Sequence, residues 1–114
     1  MNLLLNIGLA RQGQSNIGVG TVLRELAAED LTVRDYRIHT SDTEQTVVAE
    51  VEPGIAGALN FRLRINHLSR LLGQDCIAVY VPERGVGELI GPRAAEWGEF
   101  DPRYFLTVDG YRLG

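Results

Sequence analysis

Asn60-Phe61-Arg62-Leu63-Arg64-Ile65-Asn66-His67-Leu68-Ser69-Arg70-Leu71-Leu72-Gly73-Gln74 is the stretch on which the fold turns. Phe61, Leu63 and Ile65 alternate with Arg62 and Arg64, the period-two pattern of a strand. Phe61, Ile65, Leu68 and Leu72 also recur at i, i+4, i+7 and i+11, the spacing of one helix face. The helical pattern holds over three turns, and Gly73 follows it where a left-handed cap belongs. The stretch therefore reads as a helix, which leaves Leu59 and Leu63 on its outer face.

Upstream, residues 2–10 carry Leu3, Leu4, Leu5, Ile7 and Leu9, too short a run for a buried helix and suited to a central strand. Residues 11–20 are rich in Gly, Gln, Ser and Asn and mark a loop. Val19, Val22, Leu23, Leu26 and Ala27 then form a helical stripe that ends near Glu29 and Asp30. Residues 31–40 read as a strand whose apolar phase shifts from Leu31 and Val33 to Tyr36 and Ile38. Such a shift predicts a bulge, because a slip of one residue changes faces. After a turn at residues 41–44, residues 46–52 return as a strand, with Val47, Ala49 and Val51 on one face and Val48, Glu50 and Glu52 on the other. Pro53, Gly54 and Gly57 break it.

Downstream, residues 76–81 are a second wholly apolar strand, ended by Pro82. Residues 83–87 are a turn, and Glu88, Leu89 and Ile90 a short strand. Pro92 opens one helical turn through Ala94, Ala95 and Trp97. Residues 104–108 read as a last extended segment. The order β-α-β-β-α-β predicts an α+β fold, a ferredoxin-like split βαβ antiparallel sheet covered by two helices on one face. The expected core is residues 1–82. Residues 83–114 form an aromatic-rich C-terminal strand and loop extension packed on the same domain. This fold hosts enzymes, sensors, RNA binders and dimerisation modules alike, so it selects no function.

Composition narrows the choice. A chain of 114 residues that is 45% hydrophobic supports one domain with a real core. Its longest apolar runs are too short to cross a membrane, and the N-terminal stretch lacks a basic region and a cleavage site. One cysteine, Cys76, excludes an internal disulfide framework and a multi-cysteine zinc site. The net charge of -4, with eleven arginines spread along the chain, argues against nucleic acid as the main partner. The chain reads as a soluble cytoplasmic domain.

Five features bear on chemistry. The glycine-bearing loop before the first helix, with Ser15 and Gly18, offers backbone N–H groups to an anion. It lacks a P-loop ending, and a flexible connection in which Ser15 or Asn16 caps the helix explains it as well. His39 lies near Asp42 and Glu44 and could move protons, yet no nucleophile or metal partner sits at a fitting spacing. Cys76 opens an apolar strand beside Asp75, the setting of a structural thiol. Glu50 and Glu52 share a strand face and, together with Asp42 and Glu44, could hold Mg²⁺ for phosphoryl chemistry, though such a face equally suits solvent. The fifth is the C-terminal segment. Five of the eight aromatics, Trp97, Phe100, Tyr104, Phe105 and Tyr111, lie in the last 18 residues, mixed with Arg93, Arg103 and Arg112. Trp, Tyr and Arg are the residues that most often anchor interfaces. The same segment could instead cover the bare face of the sheet.

Residues 87–106, from Gly87-Glu88-Leu89-Ile90-Gly91-Pro92-Arg93 through Trp97-Gly98-Glu99-Phe100-Asp101-Pro102-Arg103-Tyr104-Phe105, resemble the C-terminus of small uncharacterised proteins encoded by bacteriophages and bacterial mobile elements. Residues 41–48 and 74–79 fit as well, although the family more often has Pro where Gln45 stands. The helix between residues 55 and 72 matches poorly. The resemblance carries no catalytic residues. It implies a small accessory protein that acts on a host or rival system by binding.

The leading expectation is a non-enzymatic protein working by protein–protein contact, as an accessory or inhibitor of a host or defence enzyme complex. The expected contact residues are Trp97, Phe100, Arg103, Tyr104 and Tyr111. The alternative is a dimeric small-molecule sensor or enzyme whose pocket gathers Tyr36, His39, Ser15 and Gly18. Neither reading requires a cofactor or a metal. An edge strand of the sheet could pair with a second copy, so a homodimer is among the expected partners.

Overall fold

The computed structural model describes residues 2–11, 17–40, 42 and 44–100. It is an α+β fold with a five-stranded antiparallel sheet. The strands are β1 (Leu3–Arg11), β2 (Leu31–Thr40), β3 (Glu44–Pro53), β4 (Ile77–Val81) and β5 (Val86–Ile90), in the spatial order β2-β3-β1-β4-β5. Helix α1 (Val19–Ala28) follows β1, and α2 (Ile55–Ala58) and α3 (Phe61–Leu71) lie between β3 and β4. A 3₁₀ turn (Ala94–Trp97) follows β5. Among the described residues no helix is long and apolar enough to cross a membrane.

The strand β1 sits at the centre because it is apolar on both faces, as a doubly covered strand must be. Leu3, Leu5, Ile7 and Leu9 point toward the helices. There they meet Val22 and Leu26 of α1, Ile65, Leu68 and Leu72 from α3 and its cap, and Val47, Ala49, Val51, Ile77 and Val79 from the flanking strands. Each fully buried aliphatic side chain contributes about 1.5–3 kcal/mol relative to exposure. That burial holds α1 in place, since its N-cap is Gly18 and makes no side-chain cap bond.

The stretch at residues 60–74 is helical. Leu59 and Leu63 are exposed, and Ile65 and Leu68 are buried. Gly73 ends the helix at φ 66°, with its N–H on the Arg70 carbonyl (3.2 Å) and the Gln74 N–H on the Ser69 carbonyl (2.7 Å). This is the Schellman arrangement that a glycine permits.

The bulge expected in β2 is present, as a register shift between Val33 and Asp35. The break at Pro53 and Gly54 contains a feature that periodicity does not show, the four-residue α2. Its start is tied to the end of α1 by Asp30. The Asp30 carbonyl accepts the Gly54 N–H (2.9 Å) and its carboxylate the Gly57 N–H (3.3 Å). The fourth strand begins at Ile77 rather than Cys76. Short of that point, the side-chain amide of Gln74 stands in for a strand partner. It accepts the Gly8 N–H and donates to the Gly8 carbonyl, both at 2.9 Å. The residues after β4 enlarge the sheet, because β5 pairs with it along its whole length. The extended segment expected at residues 104–108 lies outside the described residues.

Candidate interaction surface

The turn after β5 is built on Asp75. The backbone N–H of Arg93 donates to the Asp75 carbonyl (2.9 Å). The Trp97 indole Nε1–H donates to Asp75 Oδ2 (3.2 Å), and the Arg93 guanidinium lies 3.8 Å from Asp75 Oδ1. Arg93 also donates to Glu96 Oε2 through Nε (2.7 Å). The result is a fixed turn with Trp97 on its rim, held by its polar edge and still 40% exposed. Around it Arg93, Ala95, Glu96, Gly98 and Glu99 are exposed too. The neighbouring Cys76 is half-buried. Burial pushes its thiol up and Asp75 adds to the shift, so the group is held as a thiol and not as a nucleophilic thiolate.

Phe100 does something different. It is half-buried on the sheet face opposite the helices and stacks on Tyr80, with ring centroids 5.9 Å apart and planes at 20°. The ring lies over Gly87, where a side chain would strike it. Beneath the pair, Leu4, Val48 and Ala78 form a second, smaller buried cluster, with Leu89 packed beside them. Phe100 therefore covers the sheet, while Trp97 is presented outward. Arg103, Tyr104 and Tyr111 lie outside the described residues.

The residues of the alternative pocket do not converge. Opposed residues of an antiparallel pair share a face. Tyr36 is opposite Ala49, on the helix side, and His39 is opposite Thr46, on the same face as Val48. Tyr36 lines a groove of about 460 Å³ with Leu23 and Ala27 of α1. His39 Nδ1 is buried on the opposite face, without a hydrogen-bond partner among the described residues. Gly18 is exposed at the start of α1, and Ser15 lies outside the described residues. This corrects the picture of one pocket holding both Tyr36 and His39: strand parity separates them.

The paired carboxylates of β3 have local partners. Glu52 forms an ion pair with Arg34 of β2, and Glu50 accepts from Asn2 (3.4 Å). Among the described residues no three His, Cys, Asp or Glu side chains gather as a metal site. One feature has no signature in the sequence. An apolar cavity of about 550 Å³ opens between the start of α3 and the β4–β5 hairpin, lined by Leu3, Pro53, Phe61, Val79, Val81 and Val86. Its rim carries an ion pair between Arg62 and Glu88. The lining comes from five separate segments, so only the folded chain brings it together.

No protein-family model, curated protein or solved structure matches the chain.

Proposed function

We propose that this chain is a ferredoxin-like domain that acts by binding another protein, with Trp97 as the anchor of the contact. The strand order supports the fold reading: β3 lies between β1 and β2, and β1 lies between β3 and β4, which is the interleaving of two split βαβ units. The observation that carries the functional reading is Trp97 itself. A tryptophan whose indole is hydrogen-bonded to Asp75 but which leaves two-fifths of its surface in water is already positioned for a partner. Little conformational entropy is then lost on binding, and an aromatic of this kind fills a pocket on the other side. Arg93, on the same turn, adds a fixed guanidinium beside it. The resemblance of residues 87–106 to mobile-element proteins supports an accessory role, with the partner a bacterial enzyme complex that the contact inhibits.

Capture from bacterial lysate on immobilised wild type and Trp97→Ala, read by mass spectrometry, tests this. The reading expects a defined partner on the wild type that is missing from the variant. The same partner on both, with the variant folded by circular dichroism, overturns it.

A further inference from the structure

The strand β2 is the outermost strand on its side of the sheet among the described residues, and it is ten residues long. Long edge strands offer a row of backbone donors and acceptors to another strand. The opposite edge, β5, has five residues. Arg34, Asp35, Tyr36, Arg37 and Ile38 are all exposed, including two large apolar side chains, Tyr36 at 42% and Ile38 at 39%. The backbone N–H of Tyr36 donates to the carboxylate of its own neighbour Asp35 at 2.8 Å, so pairing with a second copy exchanges that acceptor and releases Asp35. The bulge falls at Arg34, so the chain from Asp35 onward pairs with β3 in regular register.

We propose that β2 is a homodimer interface, in which two copies pair antiparallel about a two-fold axis through Tyr36. The charges select this occupant and this register. Centred on Tyr36, Asp35 of each copy stands opposite Arg37 of the other, on the face away from the helices, and the Tyr36 rings meet on the helix side. Two opposite-charge pairs and one aromatic pair form, each of a kind that stabilises a sheet. A parallel arrangement would set Asp35 against Asp35, and a two-fold axis through Arg37 would set arginine against arginine. Both place like charges directly opposite, which destabilises a strand pair. Of these arrangements only the one centred on Tyr36 sets opposite charges against each other, as a self-complementary two-fold contact requires. The groove between α1 and β2 lies beside the Tyr36 pair, and the sheet becomes continuous through both copies. This inference stands apart from the contact at Trp97, which lies on a turn after the opposite edge strand.

Sedimentation of the full chain over a micromolar to sub-millimolar series tests it, with Asp35→Arg, Arg37→Asp and the double variant alongside. All substituted positions are exposed, so the core is untouched. The wild type is expected to reach twice the chain mass. Each single reversal turns both attractive pairs repulsive and weakens the dimer by about tenfold or more. The double variant exchanges the signs and restores the dimer. A wild type that stays monomeric overturns the proposal. So does a dimer indifferent to the single reversals, or a double variant that is not restored.

Discussion

Leu5 and Leu4 are neighbours in β1, both almost wholly buried, and they serve opposite faces of one sheet. Leu5 belongs to a large aliphatic cluster closed by α1 and α3. Leu4 belongs to a patch of three buried residues beneath Tyr80, Leu89 and Phe100. Toward β2 and β3 the same face turns polar, with Arg37, Glu50 and Glu52. One face is thus closed by helices, whose apolar stripes repeat with a period. Part of the other is closed by a single aromatic stack, in which Phe100 from beyond β5 lies on Tyr80 of β4. The difference teaches where stability resides and where surface is left for contact.

Truncation on the two faces breaks or sharpens that contrast. Leu5→Ala is expected to cost about 3–5 kcal/mol, because rigid neighbours on every side leave a cavity that cannot collapse. Leu4→Ala is expected to cost about 2–3 kcal/mol, because the aromatic pair above it can settle. Urea unfolding of both variants measures the gap, and equal losses would remove the distinction.

Gln74→Ala comes next, at about 1–3 kcal/mol. It deprives both the N–H and the carbonyl of Gly8 of their partner at the point where β1 and β4 diverge. Faster hydrogen exchange at the Gly8 amide, with the rest of β1 still protected, is the local signature. Phe100→Ala follows at about 1–2 kcal/mol, from the stacking with Tyr80 and the partial burial of the ring. A thermal melt indistinguishable from wild type would show that the aromatic stack does not close the face.

The helix-covered face was legible in the sequence, and the reason is periodicity. The stripes of α1 and α3, the alternation of β3 and the shifted phase of β2 are local signals, and all reappear in the structure. The four-residue α2 is too short to show a period. The Gln74 clamp joins residues 66 apart, and the anchor of Trp97 on Asp75 spans 22, so neither leaves a local pattern. The separation of Tyr36 from His39 was within reach. Three residues apart on one regular stretch of strand, they must project to opposite faces. Of the expected contact residues, the sequence shows aromatic enrichment alone. It does not show that Phe100 turns inward while Trp97 is held outward, because that depends on Gly87, Tyr80 and Asp75 meeting the turn in space.

The most direct measurement is calorimetric titration of the captured partner with wild type and with Trp97→Ala, beside a thermal melt of each. Losing one hydrogen bond and a ring that is 40% exposed is expected to lower stability by about 1 kcal/mol. An interface anchor loses at least about 2 kcal/mol of binding on truncation. The account therefore predicts affinity weaker by about thirtyfold or more with the fold retained. Equal affinity for the partner in a folded Trp97→Ala variant would contradict it.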